Sequence, residues 1–373
     1  MSARLLFLCL FCFNIAFAQT NTYLLIGTYT SGKSEGIYVY NFNTATGDNS
    51  FVSVAKAANP SYLTVSPNQK FVYAVAETDI AKKEGTGGSV TAFSFDKKNG
   101  TLGMINQQFS EGRNPCYVAI DKTGKWVFAA NYSSGSAVLF PANADGSLGA
   151  AKQVMQDAGT GPNKARQEGP HVHSTVLSPD NQFLFTPDLG TDKIMIYRFD
   201  KVNGKLNAAS PAFVSSPAGN GPRHFDFHPN NRYAYLMEEM TGTVAAFKYN
   251  AGKLNLIQRL SALPANFNGV IGSADIHVSP GGKFLYCSNR GESNSITIFK
   301  INSATGKLTV VGHQSSMGIM PRNFNFDPTG NFLLVANQQG NVVIFKIDKK
   351  TGLLTDTGKR IDVPNPVCIK WIK

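Results

Sequence analysis

The chain has 373 residues, a formal net charge of +11, and aromatic and charged fractions of 11% and 16%. Beyond the first twenty residues its only cysteines are Cys116, Cys287 and Cys368, too few and too scattered for a disulfide framework or a zinc motif, and best read as small buried residues. The positive excess suits anionic small molecules. The lysines, however, are scattered among turns such as "DKKNG" and "DKKTG" and form no basic runs interleaved with aromatics, which argues against nucleic-acid binding.

Residues 1–18, "MSARLLFLCLFCFNIAFA", carry an early Arg4 and a short apolar run, and end on Ala16-Phe17-Ala18. This pattern predicts a secretory signal cut after Ala18, leaving one domain over 19–373 that is periplasmic or secreted. The apolar run is too short for a membrane span and no later segment is apolar enough, so no membrane insertion is expected.

A repeat follows. The copies "NPSYLTVSPNQKFVYAVAE", "NPCYVAIDKTGKWVFAANY", "HVHSTVLSPDNQFLFTPDL", "GPRHFDFHPNNRYAYLMEE", "GSADIHVSPGGKFLYCSNR" and "MPRNFNFDPTGNFLLVANQ" start at Asn59, Asn114, His171, Gly221, Gly272 and Met320, at spacings of 55, 57, 50, 51 and 48 residues. Each joins an alternating strand to an aromatic-rich strand through a Pro, Asp, Asn or Gly turn, and a second strand pair ending in a Gly turn follows. Four strands in about fifty residues make a propeller blade. The N-terminal "TYLLIGTYTSGKSEGIYVYNFNTATGD" lacks an opening strand, and the C-terminal "NPVCIKWIK" supplies one. The fold class is therefore all-β: a seven-bladed β-propeller with four-stranded blades, closed by pairing of its terminal strands.

In the opening strands one parity is apolar, as in Leu63 and Val65, Phe225 and Phe227, or Phe324 and Phe326. Two residues earlier, on the face this parity continues, stand Ser61, Cys116, His173, Arg223, Ala274 and Arg322. An unpaired guanidinium between blades would be costly, so His173, Arg223 and Arg322 are expected at the water-filled channel mouth, with a salt-bridged strand end as the alternative. A second ring ends the next strand of each blade: Glu77, Tyr132, Leu189, Glu239, Arg290 and Gln338. Glu239 can hold Arg223 as an ion pair, take part in chemistry, or do both. His228 falls on a turn-capping position; His224 and His277 fall on the opposite parity from His173, within the blade or along the channel wall. His171 and His173 could supply two metal ligands with Asp188 or Glu239, but arginine neighbours repel a cation, so neither metal nor cofactor is expected. No Gly-x-Ser-x-Gly elbow or phosphate-cradling glycine motif is present.

The stretches "RQEGPHVHSTVLSPDNQFLFTPDLGTDKI", "GPRHFDFHPNNRYAYLMEEMTGTV", "ADIHVSPGGKFLYCSNRGESNSI" and "PRNFNFDPTGNFLLVANQQ" resemble, in order, the lactonase family of seven-bladed propellers. That family comprises propeller-type 6-phosphogluconolactonases and carboxymuconate cyclases. The resemblance implies metal-independent hydrolysis of a sugar lactone to the aldonic acid; the protein is expected to act as a monomer. By motif it places the catalytic His, Arg, Glu and second Arg on His173, Arg223, Glu239 and Arg290. His173 would take a proton from water and Glu239 would orient it or share that role. The arginines would hold an anionic group and the oxyanion. Arg322, with Arg166 and Gln167 in the preceding loop, would extend the substrate contacts. His171 joins them as a candidate contact or an anchor of the loop. Where the family carries Asn-Glu this chain has Glu238-Glu239, which leaves open which carboxylate faces the site. The alternatives are lactone formation on an unsaturated diacid and a propeller that binds a ligand without turnover.

Overall fold

The computed structural model describes residues 21–82 and 85–373, and its regular elements are all strands: 28 of them, in seven four-stranded antiparallel sheets. The expected signal, residues 1–18, lies outside the described residues. Blades 1 to 6 open with Leu63–Val65, Pro115–Ile120, Val176–Leu177, Pro222–Phe227, Ser273–Val278 and Pro321–Phe326. Blade 7 takes its inner strand, Pro366–Ile372, from the C-terminus and pairs it with Asn21–Thr28, Ile26 opposite Ile369. The ring closes as the repeat predicts.

Local chemistry explains why each repeat folds alike. In five blades the side chain that begins the inner turn accepts a backbone N–H from the next strand, as Ser66 does from Phe71 (2.9 Å), Asp121 from Trp126 (3.0 Å) and Asp327 from Phe332 (2.7 Å). Three residues later the backbone turns left-handed, at Gln69, Asn181 and Asn231 or at a glycine, where Asn and Gly carry the smallest penalty. His228 fills the acceptor slot in blade 4: its Nδ1 takes the N–H of Asn230 and its Nε2 meets the Gly282 carbonyl of blade 5. It is the turn cap its position implies.

The core lies between blades. One apolar cluster joins Tyr235 and Met237 of blade 4 to Ile276 and Leu285 of blade 5; another joins Phe284 and Tyr286 of blade 5 to Phe324 and Leu333 of blade 6. Each blade is therefore held by its neighbours, and ring closure completes the burial of both end blades.

The opening strands differ from the sequence expectation in one respect. The residues at the inner ring do not continue the packing face. In blade 2, Pro115 faces Asn131 and Tyr117 faces Ala130, so Cys116 is extra; Arg223, Arg322 and Val367 are extra in the same way. In blade 5, Ala274 and Asp275 stand against Ser288 alone, and in blade 3 the three residues 173–175 stand against two. These are β-bulges, which bend the strand and re-aim a side chain. Left-handed residues precede them: Asn114 (φ 51°), Gly221 (φ 67°), Met320 (φ 62°) and Asn365 (φ 49°).

In the closing strand, Val367, Cys368, Ile369 and Ile372 are each at most 1% exposed. Burying a Val or Ile side chain contributes about 2 kcal/mol, so this strand carries roughly 6 kcal/mol, comparable with a whole domain's net stability. Deleting residues 366–373 is expected to abolish soluble expression. A deletion variant that stays soluble with an unchanged melting temperature would contradict the closure.

Candidate active site

The bulged residues and the ends of the second strands meet in a cavity of about 460 Å³ at one mouth of the channel. His173, Cys116 and Arg322 face it from the inner ring, and Glu77, Tyr132, Glu239 and Arg290 from the outer. Tyr132 and Arg290 follow asparagines that pin their strand ends: Asn131 donates to the Ser110 carbonyl (2.8 Å) and Asn289 to that of Ala262 (2.9 Å). Beyond Arg290, Gly291 turns the chain at φ 65°, where a Cβ would come within 2.1 Å of the Val270 carbonyl oxygen.

Glu239 organises the charge. Its Oε1 accepts from Arg166 (2.6 Å), and its Oε2 accepts from Arg223 Nε (2.7 Å) and pairs with Arg290 (3.0 Å). Burial alone would raise its pKa, but the guanidiniums of Arg290, Arg223 and Arg166 bring it down to about 2. Glu239 is thus a fixed carboxylate. Arg290 is further held by the carbonyls of Gly272 (2.8 Å) and Ser273 (3.3 Å). Across the cavity, Glu77 accepts from Ser61 and from Tyr29 (2.9 Å), and Arg322 lies 4.0 Å from Glu77 and 5.3 Å over the Tyr29 ring. Four guanidiniums against two carboxylates leave the site net positive.

His173 stands between these groups. Its Nδ1 is 3.7 Å from Cys116 Sγ, and its ring meets Tyr132 and His224 edge to face at 5.4 and 5.3 Å. Burial, with Arg223, His224 and Arg322 acting the same way, holds the imidazole well below its ordinary pKa of 6.5, so it is neutral at pH 7. Burial also pushes the Cys116 thiol up and keeps it protonated. Beneath, Tyr62 stacks on Tyr117 at 4.1 Å and both abut His224, closing the floor.

Of the residues singled out in the sequence, His173, Glu239, Arg290, Arg322 and Arg166 line the cavity. Arg223 does not. It is 1% exposed and lies behind Glu239, with Nη1 on the Ala274 carbonyl (2.7 Å), so it neutralises and holds Glu239 from outside the cavity. His171 also stays behind the wall: it stacks under Tyr132 at 4.5 Å, with Nδ1 on the Tyr132 carbonyl and Nε2 near Glu168. Gln167 is fully buried, donating to the Leu189 carbonyl (2.8 Å) and accepting from Asn163, and so anchors the loop that presents Arg166. Glu238 points away and accepts from Asn220 (2.6 Å), leaving Glu239 as the carboxylate in the site. Leu189 is buried outside the cavity.

Tyr29 lines the cavity although no sequence motif marked it. It follows Thr28, which faces Pro366 as Asn131 faces Pro115, and is therefore blade 7's member of the outer ring. Aligning the split blade strand by strand would have found it. Among the described residues no three His, Cys, Asp or Glu side chains converge as a metal cage.

The sequence profile of the family described as "Lactonase, 7-bladed beta-propeller" matches residues 23–371. The chain is 39% identical to the 6-phosphogluconolactonase of Bacillus subtilis (strain 168) over 93% of its own length and 97% of the relative's. Among solved structures it is similar to a putative 6-phosphogluconolactonase from Bacteroides fragilis NCTC 9343, at 43% identity and TM-score 0.89, covering 95% of this chain and 99% of that one. It is equally similar in structure to the periplasmic gluconolactonase of Pseudomonas aeruginosa, at 39% identity, TM-score 0.89 and the same coverages. The chain belongs to the lactonase family of seven-bladed β-propellers.

Proposed function

We propose that the protein hydrolyses a sugar lactone to the aldonic acid. The carrying observation is a neutral imidazole set among positively charged groups in an open cavity. Water attacks the lactone carbonyl while its proton passes to His173, whose Nδ1 is turned toward Cys116 and whose Nε2 is left for the water. The tetrahedral oxyanion forms against Arg290, which two backbone carbonyls and Glu239 hold in place beforehand. Collapse breaks the ring C–O bond, and the imidazolium returns the proton to the leaving ring oxygen, which becomes a hydroxyl. Glu239, with a pKa of about 2, is too weakly basic to share the proton transfer; its role is to fix the arginines.

Arg322 and the half-exposed Arg166 suit an anionic substituent on the sugar, so a phosphorylated or carboxylated lactone should bind more tightly than the neutral one. The signal-like residues 1–18 and the likeness to a periplasmic gluconolactonase support export as part of the same proposal.

Acid release from glucono-1,5-lactone and its 6-phosphate tests the roles. His173→Asn should lower kcat by about 100-fold or more, the usual range for losing a general base. Arg322→Ala should raise KM for the phosphorylated lactone far more than for the neutral one. Wild-type rates in both variants would overturn the assignment. Turnover of muconates in place of gluconolactones would replace it with the lactonising reaction.

The pH profile follows from the depressed pKa. The neutral imidazole is the working form, and it persists below pH 6.5 because folding lowers the histidine's pKa. The enzymatic kcat/KM should therefore stay flat from pH 7.5 through 6.5, after subtraction of spontaneous hydrolysis. A half-maximal value at pH 6.5 would show a histidine with an ordinary pKa.

A further inference from the structure

Asp275 lies among blades 4, 5 and 6 with 1% exposure, in contact with the His224 that abuts His173. Its carboxylate receives five groups: His224 Nδ1 (2.7 Å), His277 Nε2 (3.0 Å), Asn323 Nδ2 (2.5 Å), and the N–H groups of Ile276 (3.0 Å) and Phe324 (3.3 Å). Two of these donors are placed tellingly. His224 directly follows Arg223, the partner of Glu239, and its ring abuts His173. Asn323 directly follows Arg322, and its Oδ1 accepts the N–H of Ile369 in the closing strand (2.8 Å). Asp275 itself follows Ala274, whose carbonyl receives Arg223. One carboxylate thus ties together the bulges of blades 4, 5 and 6, and through Asn323 the closing strand of blade 7.

We infer that Asp275 is a positioning residue for the lactonase site: by joining His224 and Asn323 across the channel it fixes where His173, Arg223 and Arg322 point. It touches no substrate. A bulge is locally pliable, since its extra residue has no ladder partner, and Arg223 and Arg322 both sit on bulges. A cross-channel tie is what gives such residues one orientation. The inference rests on the site roles proposed above.

Substitution Asp275→Asn breaks the tie selectively. An amide at 275 turns an NH2 toward one of its donors, and Asn323 cannot rotate to meet it because its Oδ1 is engaged by Ile369. The expected result is a loss of kcat/KM of about 100-fold, the scale of misplacing reacting groups by an ångström. The transposed double variant Asp275→Asn with Asn323→Asp restores donor against acceptor for the 275–323 pair, though not for the Phe324 N–H, and should recover part of that loss. His228→Asn removes a hydrogen bond between the same two blades at the far end of the strand. It should lower the melting temperature while leaving kcat/KM unchanged within about twofold, as expected for a group far from the reacting atoms.

Wild-type kcat/KM in Asp275→Asn would overturn the inference. So would a transposed variant that regains its melting temperature but not its activity, or a His228→Asn enzyme whose activity falls in step with its stability. If Asp275→Asn does not fold, Asn323→Ala severs the same tie and carries the same expectation. His173→Asn and Arg322→Ala together separate the two proposals: wild-type activity in both removes the site assignment, whereas impaired site variants beside a fully active Asp275→Asn remove only the positioning role.

Discussion

An inner strand of a propeller blade can aim a side chain into the channel mouth only where its two-residue alternation is broken. The strand's regular positions are taken by blade-to-blade packing, as with Leu63, Val118 and Phe324, all within 1% of complete burial. A single extra residue at the start of the strand resolves the conflict. It leaves the packing register below intact and frees one side chain from that register, which in Cys116, His173 and Arg322 reaches the cavity. Cys116, Arg223 and Arg322 all stand on this device, and the three-against-two stretch that begins with His173 is its counterpart in blade 3.

Releasing charged side chains into a buried mouth creates an electrostatic problem that Glu239 resolves. A guanidinium as deeply buried as that of Arg223 is strongly disfavoured without a partner, and removing one member of such a cluster typically costs 3–5 kcal/mol. Glu239 answers three arginines with one carboxylate, so the cluster retains positive potential at the cavity wall, the sign that would stabilise an oxyanion there. Because two of the three also bond backbone carbonyls, they are oriented before substrate arrives. The same low dielectric that makes the cluster expensive makes its field strong.

The fold was legible in the sequence because the repeat writes its turn chemistry six times, from the residue that accepts the strand N–H to the left-handed residue three places on. Closure was legible too, since "NPVCIKWIK" begins as the inner strands do. The site was legible as a set of equivalent positions, which brought His173, Glu239, Arg290 and Arg322 forward together. Depth within that set was not. Arg223 shares its ring position with Arg322, yet a guanidinium's reach lets one face the cavity while the other turns behind a carboxylate. His171 and Gln167 lie close in sequence to Arg166, but support the wall instead of lining it. The bulges themselves left only a trace, the Asn, Gly or Met before proline, and that trace does not say which way the next side chain turns. Tyr29 stayed hidden because its blade is split between the chain's two ends.

The bulged positions also separate function from stability. None of Cys116, His173, Arg223, Ala274, Arg322 or Val367 belongs to the apolar clusters that hold neighbouring blades together. The alanine and valine bulges, Ala274 and Val367, are buried outside the cavity, whereas His173 and Arg322 bring polar groups to its wall. At Cys116, His173 or Arg322, which line the cavity, a substitution changes what the cavity binds without opening a void in the apolar clusters, provided its charge keeps a partner. That proviso confines the freedom to blades away from Glu239. Around Glu239 the residues answer to one another, and a change at Arg223, Arg290 or Arg166 leaves a carboxylate with a charge it no longer balances.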